Sequence, residues 1–146
     1  MKRKSQLLLV GIAYLGFVGL GLSGAMQGVA WPSMRETFSV PLDSLGILLI
    51  TGMVGGLVAS SSSGPLISRI GVGRLLFLSA IFNTVGLLGR ALAPAWWVIV
   101  PLGLFGGLGA GVIDAGLNTY FAANHSTKLM NWLHACFGIG ATLGPI

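Results

Sequence analysis

Charged residues divide the chain into long uncharged stretches, at positions 5–34, 44–68, 75–89, 91–113 and 129–146. A helix that crosses the hydrocarbon core of a bilayer needs about 20 mostly apolar residues. Read on that scale, the pattern predicts helices at about 6–30, about 44–67, about 74–92, about 96–120 and from about 129 to the end, residue 146. Pro32, Pro41 and Pro94 fall in or beside the expected connections, where proline stops or starts a helix. Glycine recurs at four-residue spacing in Gly24 and Gly28, Gly52 and Gly56, Gly103, Gly107 and Gly111, and Gly140 and Gly144. Such faces let helix backbones approach closely in lipid, where no hydrophobic effect drives helices together.

Composition agrees. The 146 residues are 54% hydrophobic and 8% charged, with mean hydropathy +0.90, whereas soluble domains carry about a quarter charged residues. A soluble fold of this length could not cover so much apolar surface. The expected class is therefore all-α and transmembrane, with the lipid bilayer as solvent. The net charge of +5 does not point to nucleic acid, because the eight basic residues are dispersed between apolar runs and form no stripe along which a phosphate backbone could run. One cysteine, Cys136, precludes an intramolecular disulfide. With no cluster of ligand residues, no metal site and no cofactor are expected. The N-terminal apolar run is too long for a signal-peptide core and is read as an uncleaved first helix.

Charge also orients the chain. With the N-terminus inside, Lys2, Arg3, Lys4, Arg69, Arg74 and Lys128 are cytoplasmic, and only Arg35 and Arg90 lie near the outer side. The positive-inside rule favours this arrangement, in the cell (plasma or inner) membrane, with Trp31, Trp96 and Trp97 at the outer interface. Arg90 is expected to snorkel there.

Few residues carry chemistry. Asp114 is the one acidic side chain inside an apolar run. A carboxylate at membrane depth usually faces a cavity or a partner, which makes Asp114 the candidate for proton coupling; a structural hydrogen bond or hydration near the cytoplasmic end is the plainer alternative. Asn118 lies four residues on, on the same helix face. Asn131 and His134 share a face of the fifth helix, and Gln27 is a polar position in the first. These four are candidates for lining a substrate cavity; His134 can bind a polar ligand, relay protons near neutral pH or cap a packing contact with a backbone carbonyl, and Gln27 can equally serve as interhelical glue. Asn83 carries the same two readings. Ser60–Ser63 can bond back to the carbonyl four residues earlier or lighten the packing and are assigned no chemistry, and His125 is expected to be solvated.

The segment Gly64-Pro65-Leu66-Ile67-Ser68-Arg69-Ile70-Gly71-Val72-Gly73-Arg74 resembles the G-x-L-x-D-R-x-G signature of the major facilitator superfamily (MFS), and it falls where that signature belongs, between helices 2 and 3. Gly64, Leu66, Arg69, Gly71 and Arg74 match; Ser68 stands at the aspartate position. The resemblance implies a cytoplasmic gating loop. Gly107 to Asn118, a glycine run followed by an acid and an Asn four residues later, looks like helix 4 of the fucose-permease-like branch. Asn131-x-x-His134-x-x-Phe137-Gly138-x-Gly140-Ala141-x-x-Gly144-Pro145 looks like helix 5 of the same branch. Two features of that family are absent. No acid precedes Pro32 in helix 1, where Gln27 and Gly28 stand, and the helix 4 arginine is replaced at Leu102 or Gly103.

The resemblance implies a helical bundle holding four complete helices and most of a fifth, residues 1–146 being part of an N-terminal six-helix domain. Its partner would be the missing C-terminal half, since such transporters hold a small solute between two halves. The expected function is secondary active transport of a small solute, with the proton as candidate coupling ion, and not catalysis. Two other classes stay open. One is a small oligomeric membrane protein without transport of its own. The other is an intramembrane serine protease, built on Gly21-Leu22-Ser23-Gly24 with His134 as base.

Overall fold

The computed structural model describes residues 2–146, with side chains from Gln6 onward. The side chains of Lys2, Arg3 and Lys4, on which the expectation of a cytoplasmic N-terminus partly rests, lie outside the described residues. Among the described residues the structure is helical throughout its regular elements: α1 (Lys2–Phe38), α2 (Ser44–Leu92), α3 (Trp96–Asn124) and α4 (Thr127–Leu143). Three stretches, Gln6–Phe38, Ser44–Leu92 and Trp96–Asn124, are long and apolar enough to cross a membrane.

At 49 residues, α2 would run to about 74 Å if straight, more than twice the hydrocarbon thickness of about 30 Å. It is not straight. Gly71 adopts φ 79° and ψ 160°, a region open essentially to glycine alone. The turn divides α2 into a first limb (44–70) and a second limb (72–92), each of spanning length. The loop expected between helices 2 and 3 is thus an elbow of one residue, placed at the last glycine of the loop signature.

Helix ends also differ from expectation. α1 runs through Pro32 to Phe38, and Pro65 and Pro101 lie inside α2 and α3. A proline removes one backbone hydrogen bond and crowds one carbonyl, which can kink a helix without ending it. What ends α1 is Ser39 at φ 50°. Its N–H donates to the Glu36 carbonyl and that of Val40 to the Arg35 carbonyl, both at 3.2 Å. That is a Schellman closure with serine where glycine is usual. Pro41 and Pro94 do sit in connections.

The chain forms two compact units. In the unit Trp31–Gly116, α3 lies between the two limbs of α2. One stripe of α3 meets the first limb. A methyl on Gly103 would meet Leu48 and Thr51, one on Gly107 would strike the Gly52 carbonyl, and one on Gly111 would fall 2.9 Å from Gly56 Cα and Ala59 Cβ. These pairs rise together along both helices, so the first limb and α3 are parallel. A second stripe meets the second limb in antiparallel sense: Leu102 with Gly89, Gly106 with Gly86, Gly109 with Asn83 and Gly116 with Leu75. Near the elbow, Ala59, Leu75 and Val112 form a buried cluster backed by Leu66, Ile67 and Ile70. At the other end Trp31, Leu48, Trp96 and Ile99 form another, joined by Met34 and Val40 from the closure of α1. Trp31 and Trp96 meet edge to face, with centroids 5.7 Å apart. Of these three tryptophans Trp97, 75% exposed, keeps the exposed indole expected of an interfacial anchor.

The second unit comprises residues up to Ala30 and Leu117–Ile146. Here α1 and α4 pack backbone to backbone. Gly21 abuts the Phe137 carbonyl, Gly140 abuts the Val18 carbonyl, and Gly144 approaches the Leu22 carbonyl. The Gly140/Gly144 spacing read from the sequence is therefore a contact face, and Gly21 is its mate. Phe17, Leu117, Phe121 and Leu133 are fully buried in this unit.

Candidate transport site

Asp114 projects from α3 and is exposed, although Val112, Ile113, Gly116 and Leu117 around it are buried. Residues at 112, 113 and 116 point toward packed faces of α3, whereas Asp114 lies on the stripe of Gly103, Gly107 and Gly111 but beyond the last glycine contact of that stripe with the first limb of α2. A carboxylate in so apolar a helix is costly and usually faces a cavity or a partner. Asn118, half-buried, follows one turn later on the same helix. Both side chains have interaction partners in the structure.

The other sequence candidates lie in the unit that contains α4. Gln27 is half-buried on α1 and also engaged. Asn131 and His134 are exposed on α4. Asn131 lines a shallow groove of about 500 Å³ with Thr127, Lys128, Trp132 and Ala135. The His134 ring stands edge-on to Phe17, with centroids 5.9 Å apart and planes at 79°. The structure thus places Gln27, Asn118, Asn131 and His134 within one unit, and Asp114 with the loop-signature residues in the other. In the elbow, Arg69, Gly71 and Arg74 are exposed, as is Gly64 within the first limb, while Leu66 packs inward. Ser68, at the aspartate position of the signature, donates its hydroxyl to the Pro65 carbonyl at 2.8 Å.

Several polar residues serve packing instead. Arg90 folds back along its own helix. Its Nε donates to the Gly86 carbonyl at 2.9 Å, and Nη2 lies 2.7 Å from where a Gly106 methyl would stand. The absence of a side chain at Gly106 lets the guanidinium lie against α3. Asn83 donates to the Ser79 carbonyl at 3.1 Å, and buried Ser79 donates across to the Gly109 carbonyl at 2.7 Å. The hydrogen bond between helices is thus made by Ser79, while Asn83 bonds within its own helix and lies against Gly109. Ser61, Ser62 and Ser63 each donate to the carbonyl four residues back, as their composition suggested. His125 is not simply solvated, since its ring lies 4.8 Å from that of Phe121 and 5.6 Å from that of Tyr120. Tyr14, which the sequence pattern did not single out, donates its hydroxyl to the Leu129 carbonyl at 3.1 Å. Ser79 also escaped notice, and the signal for both was the same: a lone hydroxyl in an otherwise apolar stretch.

Comparison with known proteins settles the family. The profile of the Major Facilitator Superfamily matches residues 13–146. The chain belongs to the Major Facilitator Superfamily. Relatives of this MFS chain include the human sodium-dependent glucose transporter 1, 31% identical over 134 residues that make up 89% of this chain and 26% of the relative. The mouse sodium-dependent glucose transporter 1A is 28% identical, over 91% of this chain and 32% of the relative. The Bacillus subtilis (strain 168) glucose/mannose transporter GlcP is 24% identical, over 91% and 34%. The chain thus spans about a third or less of the length of these relatives. No solved structure matches it. Apolar spans and family together make this MFS chain an integral membrane protein.

Proposed function

We propose that the chain forms part of a secondary transporter for a monosaccharide, coupled to the proton through Asp114. The observation that carries the reading is the exposed carboxylate on α3 of an MFS chain, in a stretch where an acid is otherwise costly. The names of its relatives supply the substrate class, since they transport glucose or glucose and mannose. In this reading Asn118, Asn131, His134 and Gln27 line the sugar path. The second half of the transporter, which supplies the opposite wall of the site, lies outside these 146 residues. The elbow carrying Gly64, Leu66, Arg69, Gly71 and Arg74 acts as the cytoplasmic gating element. The N-terminus is cytoplasmic, and the protein resides in the cell membrane. The word sodium in two relatives' names marks the competing coupling ion.

The test is uptake of radiolabelled glucose into proteoliposomes bearing the protein expressed from its full natural reading frame. Proton coupling predicts accumulation driven by an inward proton gradient, unaffected when choline replaces sodium, and lost in Asp114→Asn. Accumulation that follows sodium and ignores the proton gradient would assign the site to sodium, and an Asp114→Asn protein with unchanged gradient-driven uptake would remove Asp114 from coupling.

A further inference from the structure

Beyond the last glycine contact between the first limb of α2 and α3, helical spacing carries Ser60 on one helix and Asp114 on the other toward the same level. Gly52 lies near Gly103 and Gly107, and Gly56 near Gly107 and Gly111, whereas Gly55, on the other side of the same limb, meets Leu104 and Leu108. The Gly52/Gly56 edge of the limb therefore faces the Gly103/Gly107 edge of α3. In an α-helix, positions four apart, and positions seven apart, stay on nearly the same face. Ser60 is one turn beyond Gly56 on the limb's edge. Asp114 is two turns beyond Gly107 on the α3 edge. The axial register agrees: Gly52 pairs with Gly107 and Gly56 with Gly111, so the following step sets Ser60 level with Ala115, adjacent to Asp114. Burial agrees as well. Ala59, Ser63 and Val112 are buried inside the seam, while Ser60 and Asp114 are both exposed at its rim.

We propose that Ser60 is a substrate-binding residue acting with Asp114. This rests on the reading of Asp114 as part of the transport site, and extends that site to the first limb of α2. The chemistry fits a neutral polyol. Asp114 offers carboxylate oxygens to ligand hydroxyls, and Ser60 both donates and accepts. Ser61–Ser63 spend their hydroxyls on their own helix and take no part.

Two experiments on the protein from its full natural reading frame test the proposal. In a Cys136→Ala background, the pair Ser60→Cys and Asp114→Cys should lose thiol reactivity together on treatment with a short bifunctional thiol reagent. The pair Ser61→Cys and Asp114→Cys, with position 61 on the far side of the limb, should not. Glucose uptake by Ser60→Ala should show a KM raised about tenfold with kcat within about twofold, the loss expected for one ligand hydrogen bond. Ser60→Thr, which keeps the hydroxyl, should restore most of the affinity. Failure of the 60/114 pair to cross-link, or an unchanged KM in Ser60→Ala where Asp114→Asn is impaired, would overturn the proposal and leave the role of Asp114 intact. Unchanged transport in Asp114→Asn would instead bring down the parent reading and this one with it.

Discussion

Two residues with positive φ set the shape of the chain's turns, and they are solved differently. Gly71 uses a conformation that only glycine tolerates, and no neighbour lies within 4 Å of where its side chain would stand. The requirement is therefore one of backbone, not of space. Gly71→Ala should destabilise the protein by about 1–3 kcal/mol, read as a lowered melting temperature in detergent, with no compensation from shrinking nearby side chains. Ser39 holds the left-handed closure of α1 without the benefit of glycine. Ser39→Gly should relieve about 1 kcal/mol of that strain and raise the melting temperature. At this scale one acid in an apolar run singled out Asp114 as a candidate, and the structure leaves it exposed among buried neighbours. The sequence was illegible where a side chain has two physically reasonable fates. Arg90 reaches back to Gly86 instead of outward because Gly106, on another helix, leaves room for it, and nothing within helical spacing of Arg90 announces that vacancy.

At the scale of elements, α3 is the strut to which both limbs of α2 attach, through different devices. The first limb is held by close glycine contact. Gly107→Val would drive a branched side chain into the Gly52 backbone, which cannot yield as a side chain can. Overpacking of that kind costs about 1–3 kcal/mol or more, and the variant should show loss of folded monomer in size-exclusion chromatography. The second limb adds a polar latch from Ser79 to the Gly109 carbonyl. Ser79→Ala should cost only about 0.6 kcal/mol, the average for hydrogen bonds between helices in membranes, and should leave the monomer folded. Four-residue glycine spacing revealed that α3 and α4 have contact faces, but spacing defines a face and not its mate. The pairing of Gly107 with Gly52, and of Gly140 with the Val18 backbone, needed coordinates. The positions of the helices were legible because charge ends an apolar span. Their exact ends were not, since Pro32 sits within α1 and termination fell to Ser39, a residue with no strong preference for that role.

For the whole molecule, an MFS chain of 146 residues that spans about a third or less of its relatives is read as one part of a transport pathway. In the proposed function an exposed Asp114, a serine of the first limb of α2 and an elbow built on Gly71 act together. Counterflow is the plainest test of the proposed monosaccharide transport, because it needs no coupling gradient. Proteoliposomes bearing the protein from its full natural reading frame, preloaded with unlabelled glucose and diluted into a trace of labelled glucose, should show a transient internal excess of label that protein-free vesicles lack. Asp114→Asn should retain this exchange while losing gradient-driven accumulation. Label that enters no faster than in protein-free vesicles, from a correctly folded and inserted protein, would contradict the account.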